Sequence, residues 1–203
     1  MLSIFYGAIT TVPHVFGMCY YNGILQIVPQ GTINVQTIKS KLISNDYIET
    51  VIEESKGVPR KRIPILVHDS YDEIPQRFVN CMASDSYIKP HKHESDNQWE
   101  LVTWMSGEML IVIFDDLGRI LNKVKIGQRS NRIMEIQRNQ YHSYVPLSDC
   151  AYLEIRNCRF VYGQPEVDRT FASWAPDEGS IEVNDFVAWL KGADIGKRYG
   201  QDG

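Results

Sequence analysis

From residue 63 onward the chain is written in short apolar runs separated by turn-forming residues. The runs fall at 63–67, 77–82, 87–89, 99–105, 109–114, 120–125, 133–136, 143–146 and 152–156. Runs of this length with turn signals between them predict β-strands. Asp115, Asp116, Leu117 and Gly118 mark the sharpest turn among them. Two flanking stretches have a different period. Over 35–54, the apolar positions Val35, Ile38, Leu42, Ile43, Tyr47, Val51 and Ile52 recur at three- and four-residue spacings, which predicts a helix ended by Gly57 and Pro59. Near the C-terminus, Ile181, Val183, Phe186, Val187, Trp189 and Leu190 predict a second helix, with Gly192 as its stop. Strands do not alternate with long helices, which argues against a Rossmann-type sheet. Many short strands argue for a sandwich or jelly-roll barrel. The expected organisation is all-β, with helices outside the barrel at both ends. Residues 35–58 form the first flanking helix, 59–176 the barrel, and 177–203 the last helix and a frayed tail.

Residues 1–34 do not fit this scheme easily. No Asp, Glu, Lys or Arg occurs before Lys39. The stretch is apolar but broken by Gly7, Pro13, Gly17, Gly23 and Pro29. It lacks the basic start of a signal peptide and the unbroken apolar run of about 18 residues that a membrane span needs. It reads either as an extra strand pair on the barrel edge or as an extension upstream of the folded region. We take the second reading, an N-terminal extension.

Composition narrows the classes of partner. A chain of 203 residues with 43% hydrophobic and 23% charged residues can bury a core of its own. The net charge of −4, with acids and bases interspersed, lacks the basic face expected of a nucleic-acid binder. The local run Arg60, Lys61, Arg62 is the exception, and a solvated surface accounts for it as readily as an anionic ligand. Cys19, Cys81, Cys150 and Cys158 show no C-x-x-C spacing. They read as reduced packing residues of a cytoplasmic protein.

The candidate chemistry centres on His91 and His93. In a strand, residues i and i+2 share a face, so the two imidazoles project together. Glu100 opens the next apolar run, and a hairpin would bring it back opposite them. Nitrogen and oxygen ligands converging in a β scaffold suit a first-row divalent ion such as iron, manganese, zinc or nickel. Ligation requires neutral imidazole, so binding weakens as pH falls through about 6.5. Glu100 serves either as ligand or as a general base beside the ion, and we take it as a ligand. On run 77–82 and its approach, Gln76 and Asn80 share one face and Arg77 takes the other. One of these faces is the candidate binding face for substrate hydroxyls or phosphate. Arg77 has the fork that grips an anion through two parallel bonds, and Arg62 offers the same chemistry. Tyr87 and Tyr144 are candidate pocket walls. Trp174 reads as hydrophobic packing ahead of the last helix.

These residues carry a resemblance. His91, His93 and Glu100, followed by Gly107, resemble the first cupin motif, with six residues between His93 and Glu100. Residues 137–142 resemble the second motif. Gln137 stands for its proline, Asn139 for its glycine and His142 for its histidine, and Asn139 can adopt the left-handed turn that glycine would supply. More narrowly, 59–62, His68, 75–80, 86–93, Trp99 with Glu100, 114–118 and 171–179 occur in the order seen in the WbuC family of cupin-fold metalloproteins from bacterial O-antigen gene clusters. The chain departs from that family at Cys158, Arg159 and Phe160, where the family has Gly-Pro-Tyr.

The resemblance implies a cupin double-stranded β-helix whose metal is held by His91, His93, Glu100 and His142. It implies that His68 lines the pocket as an acid or base. The implied activity is that of a small enzyme acting on a sugar or nucleotide-sugar in surface-polysaccharide synthesis, of isomerase or epimerase type. An iron-dependent dioxygenase and a non-catalytic sugar-binding module with a structural metal remain alternatives. Cupins also frequently form homodimers.

Overall fold

The computed structural model describes residues 16–21, 24–29, 40–158 and 167–201. It divides into two compact units, residues 1–47 and 48–203. In the first unit, β1 (Phe16–Tyr21) and β2 (Ile24–Pro29) form an antiparallel ladder in continuous register, from Phe16 against Pro29 to Tyr21 against Ile24. The stretch read as an extension therefore contains this ladder.

Helix α1 (Asn45–Ser55) begins well after the position that periodicity suggested. Residues 40–44 are not helical, and 35–39 lie outside the described residues. The reason is a cap: the Ser44 hydroxyl accepts the Tyr47 amide N–H at 3.2 Å, satisfying a donor that the helix start leaves unpaired. Asp46 in the first turn suits the positive end of the helix dipole. Apolar spacing extends upstream of the cap, but spacing alone cannot satisfy those amides. Ile48, Val51, Ile52 and Ser55 form the buried stripe.

The barrel follows from a nested pairing scheme. Its strands are β3 (Arg62–Leu66), β4 (Gln76–Met82), β5 (His91–Lys92), β6 (Trp99–Ser106), β7 (Glu108–Phe114), β8 (Ile120–Gly127), β9 (Ile133–Gln137), β10 (Tyr141–Pro146), β11 (Cys150–Arg156) and β12 (Thr170–Phe171). β7 pairs with β8, β6 with β9, β5 with β10, and β4 with β11, all antiparallel. The chain is thus one long hairpin with its tip at Asp115–Gly118. There the Asp115 carboxylate accepts the amides of Leu117 and Arg119. Successive pairs alternate between two five-stranded sheets, ordered β12-β5-β10-β7-β8 and β3-β4-β11-β6-β9. A rolled hairpin of this kind is a jelly roll, or double-stranded β-helix.

Two glycines are needed for the roll. Gly107 turns between β6 and β7 at φ +67°, where a Cβ would lie 2.1 Å from the Asp149 carbonyl oxygen. Gly118 sits at φ +85° beneath the Trp174 ring, which a Cβ would meet at 2.6 Å.

Both faces of the first sheet are covered. Met109, Ile111 and Ile113 of β7 point inward, joining Val102, Ile126, Ile136 and Tyr152 between the sheets. Leu110, Val112 and Phe114 point outward into a second cluster with Phe186 and Leu190 of helix α2 (Val183–Gly192). This explains why β7 reads as an uninterrupted apolar run instead of alternating. Trp174 packs against Phe114 and Tyr141 in the outer cluster, as its sequence reading held.

Two local expectations need correction. Residues 87–89 do not form a strand, because their carbonyls bond to side chains: the Arg62 guanidinium donates to Tyr87 O and the Ser143 hydroxyl to Ile88 O. Pro90 then supplies no ladder donor, and the strand begins at His91. β12, only two residues long, has no periodicity for sequence reading to detect.

Candidate metal centre and its cavity

His91 lies on β5 directly across the ladder from His142 on β10. Their ring centroids are 4.5 Å apart, and that of His93 is 5.2 Å from His91. The shared face expected of His91 and His93 is therefore present. Glu100 arrives by a different route from the expected hairpin. β6 belongs to the opposite sheet, so Glu100 reaches the histidines across the barrel interior. Glu100 Oε1 lies 2.7 Å from His93 Nε2, and Oε2 lies 3.0 Å from His142 Nε2. All four residues are buried, and their ligating atoms lie within 4.8 Å of one another. Asn139 adopts the left-handed conformation at φ +62°, and its amide donates to His93 O at 2.7 Å. The turn before β10 is thereby tied to the His93 segment.

Hydrogen bonding at the back of each ring fixes what the front offers. Nδ1 of His91 faces Lys89 O at 3.0 Å, that of His93 faces Asp168 O at 2.5 Å, and that of His142 faces Gln140 O at 2.9 Å. A carbonyl only accepts, so each Nδ1 carries the proton, and in neutral imidazole Nε2 is then a lone pair. Lone pairs on His93 and His142 thus confront carboxylate oxygens in a buried site. That arrangement is repulsive unless positive charge lies among them. Burial first, with the Arg169 charge beside it, holds His91 well below its usual pKa of 6.5, which keeps the ring neutral. Burial alone would raise the Glu100 pKa; positive charge at the His93 and His142 positions outweighs it and holds the carboxyl well below its usual 4.5, so the ionised carboxylate goes with cationic charge lying among the imidazoles. A divalent cation fits this donor set: neutral imidazole nitrogens, an ionised carboxylate and orientation from main-chain carbonyls.

Around this cluster lies a polar surround. The Tyr144 hydroxyl donates to Glu100 Oε2 at 2.7 Å. Arg156, opposite Glu100 in the β11–β6 ladder, lies 3.7 Å from Oε1 and bonds Asp168 at 2.9 Å. Arg156 Nε is also 3.3 Å from Glu154 Oε1, while Asn80 Nδ2 donates to Glu154 Oε2 at 2.7 Å. Burial first, and then the Glu100 charge, push the Glu154 carboxyl up to about 8.

A cavity of about 710 Å³ opens beside the cluster, with His91 and Tyr144 in its wall. Of the residues singled out from sequence, His68, Gln76, Asn80 and Arg62 also line it. His68 is held through Nδ1, which lies 3.0 Å from the Arg77 amide nitrogen and 2.8 Å from its carbonyl oxygen. Gln76 has its amide group committed to the carbonyls of Tyr71 and Glu73, so it braces the 70–73 loop. Two candidates do not line the cavity. Arg77, on the other face of β4, pairs with Glu73. Tyr87 is turned into the outer cluster, where its ring meets Phe186 and its hydroxyl donates to Pro176 O.

In their place the cavity presents Arg156 and Arg169, which sequence reading missed. For Arg156 a signal existed: Glu154 and Arg156 share a face with buried Tyr152, two charges inside a run otherwise apolar. Cys81, Cys150 and Cys158 are buried free thiols, and burial pushes Cys81 and Cys150 up to about 12.

Residues 43–126 match a family model described as a domain of unknown function (DUF6016). No curated protein matches the chain. Among solved structures, an uncharacterized conserved protein with a double-stranded β-helix domain from Klebsiella pneumoniae is 15% identical, over 66% of this chain and 99% of that one, at a TM-score of 0.45. A cupin superfamily protein from Desulfitobacterium hafniense is 13% identical, over 46% of this chain and 74% of that one, at 0.37. The capsular polysaccharide assembling protein CapF from Staphylococcus aureus is 18% identical at 0.41, over 54% of this chain and 32% of CapF, so the chain spans about a third of CapF's length. Among the described residues, no helix is long and apolar enough to cross a membrane. By its nested ladder of paired strands, the chain has the cupin double-stranded β-helix fold.

Proposed function

We propose that His91, His93, Glu100 and His142 hold a divalent transition metal, and that the chain is a small metal-dependent enzyme acting on a sugar or nucleotide-sugar. One observation carries this reading. Three buried imidazoles are each fixed through Nδ1 by a main-chain carbonyl; Nε2 of His93 and His142 faces the Glu100 carboxylate, and the ligating atoms of all four residues lie within 4.8 Å of one another. Such ligand orientation costs burial of polar groups and is the arrangement by which proteins prepare a metal site. The sugar and the setting in surface-polysaccharide synthesis rest on the WbuC-like order of motifs.

His91, His93, Glu100 and His142 would hold the ion, which would supply Lewis-acid polarisation of a carbonyl or hydroxyl at the cavity. The chain's own residues do the rest. Tyr144 keeps Glu100 oriented through its hydroxyl. Arg62 and Asn80 in the cavity wall position the ligand. Isomerisation or epimerisation takes one proton from a carbon beside the polarised group and returns one to carbon, with no net change in atoms. His68, in the wall and near neutral in its ordinary pKa, is the group that takes and returns it.

Elemental mass spectrometry of untagged protein tests the reading. Near-stoichiometric iron, manganese, nickel or zinc in the wild type, lost in the double variant His91→Ala with His142→Ala, supports it. Wild-type protein that stays metal-free under metal-replete conditions sinks it. The metal's identity then chooses the next assay: oxygen consumption with candidate substrates separates the iron-dependent dioxygenase alternative, which would consume oxygen, from an isomerase, which would not.

A further inference from the structure

The cavity differs in charge from the molecule around it. The chain carries a net charge of −4. Yet the wall holds five cations, Arg60, Arg62, Lys89, Arg156 and Arg169, against three carboxylates, Glu154, Asp177 and Glu178. Most of these charges have close partners. Arg62 donates to Glu178 at 2.7 Å, Arg60 to Glu178 at 2.9 Å, and Lys89 Nζ lies 2.5 Å from Asp177. Arg156 takes Asp168 at 2.9 Å and Glu154 at 3.3 Å.

Arg169 shares its partner. It contacts Asp168 at 3.3 and 3.5 Å, a carboxylate that Arg156 engages more closely at 2.9 Å, so two guanidinium groups divide one counter-ion. Its side chain is only 14% exposed. It lies near enough to His91 and Glu154 to act electrostatically on both. A nearly buried guanidinium with five donors, a shared counter-ion and an open cavity before it is a site prepared for an oxyanion. Pro64, Leu66 and Phe78 add apolar surface to the same cavity.

The geometry points to a ligand that carries a carboxylate or phosphate, gripped by Arg169 beside the His–Glu cluster, with its less polar face against Pro64, Leu66 and Phe78. This deepens the function proposed above and rests on it for the identity of the site, but not for the charge of the ligand.

Calorimetric titration of the metal-replete protein with D-glucose, D-glucuronate and D-glucose 6-phosphate tests this, the two charged probes separating carboxylate from phosphate. At least one charged probe is expected to bind about tenfold or more tighter than glucose. That preference should shrink to near nothing in Arg169→Gln with metal content unchanged, and should weaken as salt is raised. Equal affinity for all three probes, no binding of either charged probe, or a preference untouched in Arg169→Gln would overturn the inference. In the double variant His91→Ala with His142→Ala, a charged-probe preference that persists while wild-type protein proves metal-free would leave this inference standing and remove the metal reading alone. Retained metal with no charge preference would do the reverse.

Discussion

Strands β7 and β11 are both largely buried, yet they have opposite interiors. β7 presents Met109, Ile111 and Ile113 to the space between the sheets. β11 presents Tyr152, Glu154 and Arg156 to the same space. Burial alone therefore does not define the core. Along β7, burial is favoured by removal of apolar surface from water, roughly 25 cal/mol per Å². Along β11, burial of ionisable groups is opposed by desolvation: it pushes the Glu154 carboxyl up to about 8, beside Asn80 and Arg156, and it is tolerated for the Arg156 charge because Asp168 and Glu100 meet it. The apolar end of the barrel holds the fold together. The ionic end stores unfavourable solvation where a ligand or metal can use it.

The largest expected effect comes from breaking the ionic end. Arg156→Met removes the closest guanidinium from buried Asp168, leaving it only the longer contacts of Arg169, and strips Glu154 and Glu100 of a buried neighbour; it should cost about 3–5 kcal/mol of stability, read by chemical denaturation. A loss below about 1 kcal/mol would show that water reaches these carboxylates, and the contrast with β7 would fail. Ile111→Ala should cost about 2–5 kcal/mol by leaving a cavity among close-packed side chains. Its folded fraction should keep the wild-type metal content, since the four candidate ligands are unchanged; loss of metal in the folded protein would mean that Tyr144, opposite Ile111 in the β10–β7 ladder, couples the two ends mechanically.

Tyr144→Phe deletes one hydroxyl and should lower stability by only about 1 kcal/mol. It should nevertheless weaken metal affinity by about 10- to 100-fold in chelator competition, because Glu100 loses the bond that orients it. Unchanged affinity would reassign Tyr144 to packing against Tyr152.

The smallest effect at neutral pH belongs to Glu154→Gln. The folded carboxyl titrates at about 8 and the unfolded one at 4.5, so between these values the folded state binds more protons than the unfolded state. Glu154 therefore contributes stability that is fully present below 4.5 and is lost as pH rises through about 8. Stability curves across that window should fall with pH in the wild type and flatten in the glutamine variant. Parallel curves would mean that Glu154 is ionised at neutral pH.

Much of the fold was legible because it depends on local pattern. The strand runs, the Asp115–Gly118 turn, the α2 stripe and the left-handed Asn139 follow from residue type and spacing, which the chain carries wherever it goes. Even β7, which breaks alternation, announces burial on both faces by its unbroken apolar composition. The start of α1 was misjudged because apolar spacing continues upstream of Ser44, and only the hydroxyl's bond to the Tyr47 amide marks the true end.

The four candidate ligands were likewise visible: His91 and His93 as a same-face pair, and Glu100 and His142 through motif order. What tertiary structure alone decided is how they meet. Glu100 comes from the opposite sheet, and the nested hairpin, not a local turn, brings it to the histidines. The same topology chose among the arginines. Arg77 sits on the right strand but the wrong face, while Arg169 enters the cavity from a segment with no periodic signal at all. Residue type and spacing specify what each strand can bury. Which buried faces confront one another depends on contacts between residues far apart in the chain, and no local pattern encodes those.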